Sequence, residues 1–281
     1  MSQTKKRVLI TGANSYIGDS FRQYLEQYPQ SYDVNIIDTI GWNPVPDDFR
    51  DYDVVFNVAG IAHIRETDEN RHLYYDVNRD LAIKIAKAAK SSGVKQLILL
   101  SSMSVYGLTV GHITKSTLPR PVNAYGQSKL QADTEIETLA DDTFRFVCLR
   151  PPMVYGKNCK GNYQLLRKFA LKSPLFPKYV NKRSMVFIGN LCEFVKECID
   201  LERSGMFFPQ NAEYTVTSEM VRLIAEANGK KIRLTGAFNP AIKIAPVNVV
   251  KKVFGSLTYE LTDTVGKYGF ADSIRMTEGK L

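Results

Sequence analysis

Four apolar runs without polar alternation constrain this chain most: VLI (8–10), VVF (54–56), LILL (97–100) and FVCL (146–149), set between stretches of helical pattern. Strands that read as continuous apolar runs are buried on both faces, which is the condition of a parallel sheet covered by helices. Parallel neighbours also need long right-handed crossovers, and helices supply them. The patterns predict strands over 7–11, 33–38, 53–58, 95–101 and 144–150, and helices over 16–28, 70–92 and 123–140. Strand and helix alternate in order, so the expected fold is α/β, a Rossmann-like doubly wound parallel sheet. One connection is short. Between Asp38 and Asp53 the chain has room for a loop and at most one short strand, and the breaker-rich 41–46 (GWNPVP) reads mainly as loop.

After Arg150 the alternation loosens, and prolines at 151, 152, 174, 177, 209, 240 and 246 punctuate shorter elements. The expected organisation is an α/β domain over 1–156 and a smaller C-terminal lobe over 157–281. That lobe is expected to pack over the C-terminal edge of the sheet and not to fold independently.

At 281 residues, with 44% hydrophobic and 23% charged residues, disordered and collagen-like chains are excluded. No apolar run approaches the roughly 20 residues that span a bilayer, and 8–10 is too short for the apolar region of a signal peptide. Cys148, Cys159, Cys192 and Cys198 have no paired metal-ligand spacing and are few for a disulfide scaffold. The expectation is a reduced cytoplasmic protein with no metal site and no membrane insertion. The net charge of +8 thickens at Lys157, Lys160, Arg167, Lys168, Lys172, Lys178, Lys182 and Arg183. A solvated basic surface accounts for most of these, and an anionic ligand would account for a few.

Four segments carry chemistry. Gly12-Ala13-Asn14-Ser15-Tyr16-Ile17-Gly18 lies where the first strand meets the first helix. Glycine there lets the backbone approach a pyrophosphate, and the helix N-terminus offers it free N–H groups, although such turns also arise from packing alone. Asp38 ends the second strand, where a carboxylate accepts from ribose hydroxyls and repels a 2′-phosphate. It therefore favours NAD(H) over NADP(H), or else caps the following turn. Tyr125 and Lys129 are four apart on a predicted helix and share a face. A free phenol has a pKa of about 10, and a neighbouring ammonium would favour its phenolate. Ser102, at the end of the preceding strand, points into the cleft where parallel sheets bind ligands and could hold the reacting oxygen beside Tyr125.

Together TGANSYIG (11–18), IID (36–38), NVAG (57–60), DVN (76–78), LLSSMSVYG (99–107), AYGQSK (124–129) and RPPMVYG (150–156) resemble the extended short-chain dehydrogenase/reductase family, the NAD-dependent epimerases and dehydratases. A fainter match runs through KGNY (160–163), Arg183 and FGSL (254–257). The resemblance implies that Ser102, Tyr125 and Lys129 are catalytic. It places Gly12, Asn14, Ser15, Tyr16, Ile17, Gly18, Asp38, Ala59, Gly60, Asn78, Tyr125 and Lys129 around the dinucleotide, and Ser102, Ser104, Asn162 and Arg183 on the substrate. Three departures stand out. Ser15 replaces the usual middle glycine, and the 39–52 connection omits an acidic residue that contacts adenine. Met103 and Ser104 stand where dehydratases carry an Asp-Glu pair, which argues against a 4,6-dehydratase.

RPPMVYG, KGNY and NKRS (181–184) look most like reductases that act on UDP-4-keto-6-deoxy-N-acetylhexosamines in polysaccharide biosynthesis. C4 reduction of a UDP-sugar is the activity this implies. A UDP-hexose 4-epimerase with tightly bound NAD uses the same group and stays open. A non-catalytic dinucleotide sensor would be expected to lack the tyrosine or lysine, and nucleic-acid binding has no motif in its support. A homodimer is carried as the expected assembly.

Overall fold

The computed structural model describes residues 4–62, 64–240 and 253–280. They fall into two compact units. The first takes in the described residues up to Gly107, then Pro119–Pro151 and Cys192–Phe207. The second takes in Leu108–Leu118, Pro152–Leu191 and the described residues from Phe208 onward. The sequence boundary at 156/157 cuts the chain once, whereas the contacts send 192–207 back to the first unit and 108–118 out of it.

The first unit is built on six parallel strands. β1 (Lys6–Thr11) lies between β2 (Tyr32–Ile37) and β3 (Val54–Asn57), and β3 pairs with β4 (Gln96–Leu100). Strand Arg145–Leu149 follows, and Gly205–Phe207 forms the far edge. Five of these strands match the runs read in sequence; the sixth, three residues long, is too short to carry a period. The chain passes from β1 out to β2 and back beyond β1 to β3, so the order reverses there and opens a crevice at the carboxyl ends of β1 and β3.

The short β2–β3 crossover contains only a 3₁₀ turn, Pro46–Phe49. Phe49 is fully buried in the core beside Leu9, Val55, Ile85 and Ala86. Trp42 packs on Phe49 with ring centroids 5.7 Å apart. Asp48 Oδ2 accepts from the Trp42 indole at 3.1 Å and the Val45 N–H at 2.9 Å. Two packed aromatic rings, one of them pinned by the carboxylate, thus fill space that a crossover helix would otherwise cover.

The helix expected over 70–92 is interrupted. α2 (Arg71–Tyr75) runs through a π-helical segment, Asp76–Leu81, into α3 (Ala82–Ser91). α4 (Ala124–Glu137) starts from Asn123, whose side chain accepts the Gly126 N–H at 2.9 Å. That cap satisfies one of the orphan donors of the first turn.

In the second unit, short parallel pairs join Met153–Tyr155 to Met185–Phe187, Leu175–Pro177 to Arg233–Thr235, and Gly111–Ile113 to Leu257–Tyr259. Helix Asn162–Lys172 packs on helix Thr217–Ala227, which also packs on Phe270–Thr277. All four cysteines are buried. No helix among the described residues is long and apolar enough to cross a membrane.

Candidate active site

The turn after β1 approaches the loop after β3 very closely. Gly12 has φ +104°, and a Cβ there would stand 2.9 Å from the Ala59 nitrogen, so no side chain fits. Asn14 follows in the left-handed region at φ 63°. Ser15 then caps α1 (Tyr16–Leu25), its Oγ accepting the Gly18 N–H at 3.2 Å. The N–H groups of Tyr16 and Ile17, in the first turn, have no helical carbonyl behind them and sit at the positive end of the helix dipole. A serine in place of the usual glycine therefore acts as an N-cap here.

Two buried asparagines hold the β3 side of the crevice. Asn57 Oδ1 accepts from Thr11 Oγ1 at 2.9 Å and from the Ala59 N–H at 3.1 Å. Asn78, on the π-helical segment, accepts the Ile61 N–H at 2.8 Å and donates to the Ile61 carbonyl at 3.1 Å and to Ser128 Oγ at 3.3 Å. The loop 58–61 is thereby tied to α4. Asp38 is exposed just beyond β2 and accepts the Ile40 N–H at 3.0 Å, so one of its oxygens does cap the turn.

Tyr125, Lys129 and Asp133 recur every four residues on one face of α4. Ser102 caps the 3₁₀ turn Met103–Tyr106 by accepting the Ser104 N–H at 3.1 Å. Its hydroxyl lies beside the Tyr125 phenol. Burial pushes the half-buried Tyr125 up, Asp133 and Tyr74 add to the rise, and the Ser102 hydroxyl opposes it. Lys129 is almost fully buried and donates to the Leu100 carbonyl at 2.8 Å. Burial brings its ammonium down to about 8, against the opposing pull of Asp133. A Cβ on Gly60 would stand 3.1 Å from Lys129 Nζ and 3.0 Å from Asn78 Oδ1. The missing side chain leaves the backbone of the β3 loop beside the lysine.

Behind this group lies a buried network. Asp133 Oδ2 accepts from Ser101 Oγ at 2.8 Å and Arg150 Nε at 3.0 Å, and Arg150 Nη1 donates to the Tyr106 hydroxyl at 2.9 Å. Burial raises the Asp133 carboxyl, while Arg150 and Ser101 oppose that rise.

A family model for NAD dependent epimerases/dehydratases matches residues 8–173. UDP-glucose 4-epimerase from Vibrio cholerae is 30% identical over 251 residues, spanning 80% of this chain and 76% of that protein. The chain belongs to the NAD-dependent epimerase/dehydratase family. It is thus an NAD-dependent enzyme of the extended short-chain dehydrogenase/reductase group, as the motifs implied. N-acetyl-alpha-D-glucosaminyl-diphospho-ditrans,octacis-undecaprenol 4-epimerase from Escherichia coli O157:H7 is 29% identical over 209 residues, covering 67% of this chain and 62% of that one. The structure of a UDP-glucuronic acid 4-epimerase from Bacillus cereus in complex with NAD matches 98% of this chain and 96% of that one, with a TM-score of 0.77 at 17% identity.

Of the residues that the family resemblance assigned to the dinucleotide, the 12–18 turn and Ala59–Gly60 lie at the carboxyl ends of β1 and β3, whereas Asp38 lies exposed beyond β2; the residues at the switch point fit such a cofactor. The Gly12 turn, the N-terminal end of α1 and the bare Gly60 backbone beside Lys129 leave room for a pyrophosphate and a ribose. Ser102, Ser104, Tyr125 and Lys129 cluster in the first unit, with the Ser104 backbone holding Ser102. Asn162 and Arg183 belong to the second unit. Asn162 opens its helix and is exposed. Arg183 is half-buried, donates to the Gly255 carbonyl at 2.8 Å and has no carboxylate partner among the described residues.

The motif reading missed Asp133 and Arg150. Asp133 had a signal, since it stands four residues beyond Lys129 on the same helical face. Arg150 was part of a quoted motif, but only the sheet brings it onto Asp133.

Proposed function

We propose that this enzyme transfers hydride at C4 of a UDP-sugar and that the outcome is 4-epimerisation. The observation that carries the reading is the grouping of Ser102 and Tyr125 with Lys129, which is buried and donates to the Leu100 carbonyl at 2.8 Å. Such a group can take a proton from a sugar hydroxyl and hand it back. Epimerisation is favoured by relatives named 4-epimerases that cover two thirds or more of the chain. Reduction of a UDP-4-keto-6-deoxy-hexosamine is the second reading, favoured by RPPMVYG, KGNY and NKRS, and it uses the same residues.

When bound, NAD would accept and return the hydride. The residues Gly12 to Gly18 would hold its pyrophosphate, Ala59 and Gly60 its adenosine side, and Asn78 would keep the 58–61 loop in place. Asp38 retains one oxygen for a ribose hydroxyl, and its charge disfavours a 2′-phosphate, so NAD(H) is preferred over NADP(H). Tyr125 takes the proton from the C4 hydroxyl as the carbonyl forms, and donates one as the hydroxyl is restored. Ser102 orients that oxygen, and the Lys129 charge stabilises the phenolate. A UDP-sugar substrate and four reduced cysteines point to the cytoplasm.

Arg183 is assigned to the substrate diphosphate, because a half-buried guanidinium with one neutral acceptor retains donors for phosphate oxygens. Arg183→Ala should weaken UDP binding by about 1.5–3 kcal/mol in a calorimetric titration, and leave NADH binding unchanged. Equal UDP affinity in the variant would return Arg183 to a structural role.

The reaction itself is tested by incubating the purified enzyme with UDP-glucose and UDP-N-acetylglucosamine, without added cofactor, and following C4 by NMR. Appearance of the 4-epimer, with NAD retained through purification, is the expected result. Turnover confined to a 4-keto sugar with NADH consumed would select the reductase reading. No change at C4 under either regime would sink both.

A further inference from the structure

The chain has no Asp or Glu between Asp142 and Glu193, while eight lysines and arginines fall between Lys157 and Arg183. An anionic sugar diphosphate needs one or two of these. Two of the others, Lys168 and Lys172, share a helix face with apolar side chains that face outward. Helix Asn162–Lys172 buries Tyr163, Leu166 and Ala170 on one side, and packs on helix Thr217–Ala227. Its other side carries Leu165, Lys168, Phe169 and Lys172, all exposed and spaced i, i+3, i+4, i+7, which makes them one stripe. Leu165 is 40% and Phe169 47% exposed. The apolar surface continues beyond the helix: the Phe169 ring contacts Phe176 at 6.2 Å, and Leu175 and Val180 are exposed at 42% and 84%. Among the described residues Lys168, Lys172 and Lys178 have no carboxylate partner.

From this stripe we infer that the second unit docks on an anionic phospholipid bilayer, with helix Asn162–Lys172 lying in the plane of the headgroups. Leu165 and Phe169 would enter the acyl boundary, and Lys168 and Lys172 would run their stems along it and leave their ammonium groups among the phosphates. The chemistry selects this occupant. A nucleic acid would match the lysines but leave the aliphatic and aromatic side chains in water, whereas a neutral apolar partner would strand the lysines. Only a surface that is anionic outside and apolar just beneath satisfies both at a spacing of one helical turn. No helix among the described residues spans a membrane, so the attachment is peripheral and weakens with salt. The inference stands whether the enzyme epimerises or reduces its sugar.

The test is co-sedimentation of the full chain with vesicles of phosphatidylcholine alone and of phosphatidylcholine mixed with phosphatidylglycerol. Binding is expected to the mixed vesicles, to fall with added salt, and to be slight on phosphatidylcholine. Lys168→Gln with Lys172→Gln should weaken partitioning about fivefold for each lysine removed, and Leu165→Gln with Phe169→Gln should weaken it on both lipids. Unchanged thermal melting shows that the variants fold, and the lysine pair, being fully solvated, keeps the test open should the apolar pair fail that check. Absence from the mixed vesicles overturns the inference, as does binding that neither pair of changes reduces. So does a result in which the apolar variant only dissolves a dimer, or the lysine variant only loses affinity for duplex DNA.

Discussion

Tyr125 and Lys129 share one face of α4, and burial moves their proton affinities apart, the phenol up and the ammonium down to about 8. Lys129 therefore carries its charge below about pH 8 and loses it above. If that charge stabilises the Tyr125 phenolate, kcat falls as pH rises through about 8, and Lys129→Met removes both this limb and most of the rate. Stability responds with the opposite sign. The folded value lies below the ordinary lysine value of 10.5, so between about 8 and 10.5 the unfolded chain binds more protons and this group's contribution to stability rises with pH. Steady-state profiles and urea melts across that range separate the two effects. Tyr125→Phe keeps the ring and deletes the proton, so turnover should drop by about 10²–10⁴-fold with NADH affinity nearly intact. Activity within a few-fold of wild type would mean that another group moves the proton.

Among the elements, the π-helical segment Asp76–Leu81 has the clearest functional consequence. π-type widening inside α-helices is frequent at functional sites, and here it carries the fully buried Asn78, whose amide spans both backbone groups of Ile61. Asn78→Ala leaves that N–H and carbonyl without partners, at a cost of about 1–3 kcal/mol for each unsatisfied group. Because Ile61 follows Ala59 and Gly60, the loop beside Lys129 loosens with it. NADH binding, measured by fluorescence titration, should weaken in this variant, unlike in Tyr125→Phe. A stability loss with unchanged NADH affinity would make Asn78 a packing residue only.

For the molecule as a whole, the abbreviated β2–β3 crossover concentrates core stability in few residues. Phe49 is fully buried and Trp42 covers it, in a segment with no α-helix to share the load. Phe49→Ala should cost about 3–5 kcal/mol, seen as a lower urea midpoint with little change in slope. A loss below about 1 kcal/mol would mean that the neighbouring chain collapses into the cavity and fills it. Of the residues that the motifs single out, the 12–18 turn and Ser102, Tyr125 and Lys129 lie in the first unit, and Asn162 and Arg183 in the second.

The sequence by itself determined the central strands and the order of the chemical groups along them. Both are written in local signals: apolar runs of strand length, a glycine turn between strand and helix, and a four-residue spacing on α4. It also determined that the β2–β3 connection is short, since chain length alone limits what 38–53 can hold. Tertiary structure decided the rest. The edge strand Gly205–Phe207 is a strand because Arg145–Leu149 offers it a parallel partner, not because three residues carry a pattern. The ion pair of Asp133 and Arg150 joins groups 17 residues apart that only the α4–sheet packing brings to 3.0 Å. Which unit receives 108–118 and 192–207 follows from contacts made far along the chain, where no local periodicity reaches.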